Sequence, residues 1–214
     1  MTVSPVDFAS LLCSRLCHDL LSPVGALNNG LELLADETDP AMRERCMELL
    51  ADSARASANK LKFFRLAFGA AGGFGEEVAT REAQSAIEGL IGDNKRIELA
   101  WVVEEPAMPK AAIKALLNLV LIGSEALVRG GRMEVGGEDN AGNLEIVVKV
   151  EGARLVLDAE IRRTLVQGQA DGAVTPRTAA AYMVHTLVTE SGGSVQVVEP
   201  ADGIMIFGAV FATR

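Results

Sequence analysis

The sequence predicts an α+β protein in two parts, an antiparallel helical hairpin followed by an α/β sandwich. Three observations carry this. Apolar residues recur at spacings of three and four through most of the first 68 positions. A glycine-rich run, Gly69-Ala-Ala-Gly-Gly-Phe-Gly75, then interrupts the pattern. Beyond it, helical and strand-like patterns alternate. The expected division is residues 1–72 and 73–214.

Ser4-Pro5-Val6-Asp7 has the make-up of a helix start, with Ser as N-cap, Pro in the first turn and an acid three residues after the cap. The helix it opens runs to about Ala35. Heptad a positions fall at Ser10, Cys17, Val24 and Leu31, and d positions at Cys13, Leu20, Leu27 and Leu34. Every one of these except the small Ser10 is apolar, as a coiled-coil seam requires. Residues 36–40 form a polar turn. A second helix spans 40–69, with its own seam at Met47, Leu50, Ala54, Ser57, Leu61, Phe64 and Phe68. Two helices cannot enclose a core, so the hairpin is expected to pair with a second copy as a four-helix bundle.

In the second part, residues 80–92 predict a helix, 96–104 a strand and 109–129 a long helix. Residues 133–137 and 144–151 predict a hairpin turning at Asn140-Ala-Gly142. Residues 158–167 predict a short helix. Thr175-Pro176 opens another, which ends at Gly192-Gly193, and strands at 194–198 and 204–213 close the chain.

Composition narrows the function. The 214 residues carry a net charge of −9, which offers no basic field to nucleic acid or to an anionic membrane. The longest apolar run, 115–128, is broken by Asn118, Ser124 and Glu125 and is too short to cross a bilayer. No signal peptide is evident, and the odd set Cys13, Cys17 and Cys46 fits free thiols in a reducing cytoplasm.

The chain has two histidines, His18 and His185. His185 lies in an apolar helical pattern and is expected to be structural. His18 takes heptad position b, away from the seam. Arg15, Ser22, Gly25 and Asn29 follow the same outward stripe, and Leu11, Leu12 and Leu21 flank it. A neutral imidazole is nucleophilic near pH 7. It can accept a phosphoryl group, because that transfer needs mainly positioning and charge neutralisation. Asp19, about 100° around the helix from His18, can bond one ring nitrogen and leave the other free to attack, or can take a proton. Pro23 lacks an N–H and so frees the Asp19 carbonyl, unless it instead begins a new helix capped by Ser22. The Cys13 and Cys17 thiols face the seam while His18 faces out, so no metal site is expected.

His18-Asp19-Leu20-Leu21-Ser22-Pro23 resembles the phosphoacceptor box of sensor histidine kinases. Residues 115–125, around Asn118, resemble their asparagine box, and 179–197 resemble their last nucleotide-box helix and strand. The kinases place a second asparagine four residues after the first to hold Mg²⁺, and Ile122 stands there. Their aspartate-glycine box should lie near 150–154, which keeps at best a displaced acid. Thr178-Ala179-Ala180-Ala181 replaces their phosphate-approach glycines, and the added Cβ atoms crowd that approach.

A kinase-like pattern without nucleotide-contacting residues resembles the ChpT family of histidine phosphotransferases, most specifically over residues 14–30. The resemblance implies a cytoplasmic homodimer whose second domain is a degenerate ATPase-like sandwich. It implies that His18 takes phosphate from the receiver domain of a hybrid histidine kinase and passes it to response regulators. No cofactor is expected on this chain, and the receiver's acidic pocket supplies Mg²⁺. His18 and Asp19 are then the catalytic residues. Leu11, Arg15, Leu21, Ser22, Gly25 and Asn29 contact the receiver, with Arg15 also offsetting phosphoryl charge. Three other readings stay open at this level. They are a kinase with a rearranged ATP pocket, a receiver-binding module without chemistry, and a phosphatase using Asp19-x-x-Ser22.

Overall fold

A computed structural model describes residues 3–69, 76–92, 96–140, 142–168 and 173–212. The glycine-rich run from residue 70 on, the expected division at 72/73 and the centre of the turn at 141 lie outside these. Helix α1 (Pro5–Asp36) and helix α2 (Pro40–Ala67) form the predicted hairpin. Ser4 caps α1 by accepting from the Asp7 amide at 3.1 Å, and Asp39 caps α2 by accepting from the Ala41 amide at 3.2 Å. At the far end of α1, Arg43 donates to the Leu34 and Glu37 carbonyls, at 3.1 and 2.7 Å, and so closes the turn. α1 runs unbroken through Pro23, so Ser22 caps no new helix.

The face of α1 turned inward is marked by Leu12, Arg15, Leu16, Asp19, Pro23 and Gly30. At Gly30 the two helices approach so closely that an added Cβ would lie 2.9 Å from Leu50 Cδ2. The heptad seam falls to one side of this contact. Leu20, Leu27 and Leu34 are half-buried, whereas Val24, Leu31, Met47 and Leu61 are exposed.

The second part comprises β1 (Glu77–Ala79), α3 (Thr80–Gly92), β2 (Ile97–Val103), β3 (Ala107–Pro109), α4 (Lys110–Ala126), β4 (Gly131–Asn140), β5 (Asn143–Glu151), α5 (Ala159–Gln167), α6 (Ala179–Glu190), β6 (Ser194–Ala201) and β7 (Ile204–Ala212). The five-stranded sheet has the order β2-β4-β5-β7-β6, with β2 and β4 parallel and the remaining pairs antiparallel. Alternation along β5 and β7 turns Leu144, Ile146, Val148, Val150, Met205, Phe207, Ala209 and Phe211 into the core.

Two details depart from the sequence pattern. β1 and β3 form a small antiparallel pair, too short at three residues each to show a period. α6 begins at Ala179 rather than at Thr175, because residues 175–178 form a turn closed by the Thr178 amide on the Thr175 carbonyl at 3.1 Å. The core also crosses the glycine-rich run. Phe63, Phe64, Leu66 and Ala67 of α2 are buried in one cluster with α3, α4 and the sheet.

Candidate functional site

His18 stands on the middle of α1 with its side chain 83% exposed. Its Nδ1 lies 3.1 Å from Asp19 Oδ1. A carboxylate only accepts, so this contact is met by a proton on Nδ1, and in the neutral ring Nε2 then presents its lone pair to solvent. The other Asp19 oxygen, Oδ2, accepts from Arg15 Nε at 2.8 Å. The freed Asp19 carbonyl is also used: Lys60 Nζ, reaching across from α2, donates to it at 2.9 Å. Asp19 is thus held from three directions, and its side chain is only 18% exposed.

Arg15 departs from its expected role. It is buried, and its second guanidinium nitrogen donates to Glu125 of α4. It is therefore not a surface cation available to a transferring phosphoryl group. It belongs to the inward face of α1, and its side chain bridges Asp19 and Glu125 of the second domain. Burial opposes the Arg15 charge, but Glu125 and then Asp19 more than offset it and hold the guanidinium above its ordinary range. Leu21, Ser22 and Asn29 are exposed around His18, and a Cβ at Gly25 would meet nothing within 4 Å. Leu11 is half-buried. Sequence reasoning missed Lys60, 41 positions from Asp19, and Glu125, 110 positions from Arg15; neither shares a pattern with its partner.

A cleft of ≈ 200 Å³ lies beside this network, between the hairpin and the second domain. Asp19, Lys60, Ser124 and Glu125 are polar members of its lining, and Phe64 and Leu121 are apolar ones. Farther up α1, Phe8 meets Tyr182 of α6 edge to face, with ring centroids 5.2 Å apart.

The kinase-like features of the second domain are turned inward. Asn118 is fully buried, and its amide nitrogen donates to the Lys114 carbonyl at 2.8 Å and lies 3.4 Å from the Ala67 carbonyl. Its Oδ1 has no hydrogen-bond partner among the described residues. Ile122, Thr178, Ala179, Ala180 and Ala181 are all buried. These side chains do not fit a Mg²⁺-nucleotide, since no hard oxygen ligand stands at Ile122 and Cβ atoms fill the places where glycines would admit phosphate. His185 has a structural place, with Nδ1 3.1 Å from the Leu165 carbonyl.

A solvent-facing histidine on a helical hairpin, joined to an α/β sandwich, fits the class of histidine phosphotransferases. Comparison with known proteins makes this particular. Residues 80–203 match the histidine phosphotransferase C-terminal domain family. The chain is 34% identical to the protein phosphotransferase ChpT of Brucella abortus (strain 2308), over 96% of both. The solved structure of a bacterial phosphotransferase superposes with a TM-score of 0.86 at 33% identity, covering 98% of each chain. The catalytic domain of the histidine kinase ThkA gives a TM-score of 0.48 at 14% identity, over 64% of this chain and 94% of that one. The chain belongs to the ChpT-type histidine phosphotransferase family and acts as a phosphotransferase in a phosphorelay. No described helix is long and apolar enough to cross a membrane.

Proposed function

We propose that His18 is the phosphoacceptor, taking phosphate from a receiver-domain aspartate of a hybrid histidine kinase and passing it to response regulators. The observation that carries this is an exposed ring whose Nδ1 is committed to Asp19 while Nε2 is open. The Nε2 lone pair attacks phosphorus, the bond from phosphorus to the aspartyl oxygen breaks, and the carboxylate leaves with that electron pair. The proton stays on Nδ1, so the phosphorylated ring is cationic and Asp19 offsets its charge. A cationic ring is a good leaving group, so the same arrangement returns the phosphoryl group to a second aspartate. No proton need leave the ring in either direction.

Leu21, Ser22, Gly25 and Asn29 form the receiver-docking surface in this reading, with Leu11 at its edge. The receiver brings Mg²⁺. The chain itself binds neither nucleotide nor metal, in keeping with Ile122 and the buried run at 178–181. It works as a cytoplasmic homodimer, and the exposed apolar seam of Val24, Leu31, Met47 and Leu61 supports pairing of two hairpins.

The test is incubation with a radiolabelled, phosphorylated receiver. Wild type becomes labelled and then loses label to a second receiver. His18→Ala takes no label while its mass by light scattering stays that of a dimer. Label on the His18→Ala protein overturns the assignment.

A further inference from the structure

We infer that Glu125 is a positioning residue for the phosphoacceptor, through which the second domain holds Asp19 in the geometry that prepares His18. This rests on His18 being the site of transfer. The argument begins with the shape of a guanidinium. Arg15 offers a planar fork that pairs most favourably with both oxygens of one carboxylate. On α1 alone Asp19 is its partner at i+4, and two-point pairing would occupy both Oδ1 and Oδ2. In the folded chain Nε donates to Asp19 Oδ2 at 2.8 Å and a terminal nitrogen donates to Glu125, so the fork is shared between two carboxylates. With the fork turned toward Glu125, Asp19 Oδ1 meets His18 Nδ1 at 3.1 Å. Glu125 acts by competition. It draws off one arm of the fork, and the freed carboxylate oxygen sets the tautomer of the histidine.

Two further features support the arrangement. Arg15 is buried, so its fork has little water to turn to if Glu125 is removed, and Asp19 is the carboxylate within reach. Lys60 pins the Asp19 backbone carbonyl, so the carboxylate and not the helix must move when the fork rearranges. The Glu125 side chain is 43% exposed, so its removal opens no cavity. A domain with the pattern of a nucleotide-binding fold thus acts on the reaction through one carboxylate.

The test uses the full-length protein with ¹⁵N-labelled histidine. There are two rings to assign, and His18→Ala identifies them. In wild type the His18 signals are those of a ring protonated at Nδ1. In Glu125→Ala they shift toward Nε2 protonation, and the first-order rate of labelling by a bound phosphorylated receiver falls about tenfold, or about 1.4 kcal/mol. Glu125→Gln, whose carbonyl still accepts from Arg15, stays within about twofold of wild type. An unchanged tautomer in Glu125→Ala overturns the inference, whether or not the rate falls, since a fall alone means that Glu125 only docks the domain. Labelling that survives His18→Ala overturns instead the assignment of the phosphoacceptor.

Discussion

Arg15→Met removes the charge on which the junction of the two domains is built. Its cost follows from the three side chains involved. Arg15 is 9% exposed, Asp19 18% and Glu125 43%. The 2.8 Å contact to Asp19 is a charge-assisted bond between largely buried groups and contributes about 1.5–3 kcal/mol. The Glu125 contact opens to solvent on one side and contributes at most about 1 kcal/mol. Methionine fills most of the same channel and restores part of the apolar contact. The expected net loss is about 2–3 kcal/mol, which for a chain of this length lowers Tm by roughly 4–12 °C. Urea unfolding at fixed protomer concentration measures it. The midpoint falls while the slope stays constant, because the variant unfolds the same surface. A double-mutant cycle with Glu125→Ala isolates the pair: the second substitution costs up to about 1 kcal/mol in wild type and nothing in the Arg15→Met background. A loss under about 0.5 kcal/mol for Arg15→Met, or strict additivity in the cycle, would show that the buried cation holds nothing together.

Pro23→Ala is expected to stabilise the protein by about 1–2 kcal/mol, since an interior proline costs about 3 kcal/mol and the Lys60 bond to the freed Asp19 carbonyl recovers only about 1. A fall in thermal midpoint in that variant refutes the account. Burial, and then the neighbouring Lys110, hold Lys114 below its ordinary range. The unfolded chain therefore binds the Lys114 proton more tightly than the native one, so stability rises with pH from the lowered native value up to about 10.4. Lys114→Met should flatten that rise in urea titrations run between about pH 8 and pH 10.5, and an unchanged slope excludes it.

Local rules made much of the molecule legible. Ser4-Pro5 and Asp39-Pro40 start the two helices where cap chemistry puts them, and the alternation in β5 and β7 survives because one sheet face is buried. His18 is exposed because heptad position b faces away from both the seam and α2. Period and spacing fail where the answer depends on what covers a surface. Arg15 sits on the same broad stripe as Ser22 and Asn29, and only the docking of α4 on that side turns it from a surface cation into a buried one. Lys60 was invisible for a related reason: proline predicts an orphaned carbonyl but does not name the donor that will reach it. Asn118 kept the residue type of a nucleotide-binding box yet faces Lys114 and Ala67, a change that no residue in its own helix announces.

The hairpin and the second domain are joined through a shared part of the core. The last turns of α2 supply Phe63, Phe64, Leu66 and Ala67 to the same apolar cluster as α4 and the sheet, all at 1% exposure or less. Severed after α2, the hairpin would bare two phenylalanines and a leucine, each worth about 1.5–3 kcal/mol of burial. The sandwich would lose the helix end that covers α3 and α4. The end of α2 is thus built into the core of the sandwich, and the two parts are joined through it. Asn118 stands at the same join. Its amide lies against the Ala67 carbonyl at the end of α2 and against Met183 Sδ in α6. Its side chain is part of the join between hairpin and sandwich. The Arg15–Glu125 contact stands at the same join, on the side nearer His18. The chemistry and the docking of the domains therefore draw on one set of contacts, and a substitution at the junction is expected to act on both.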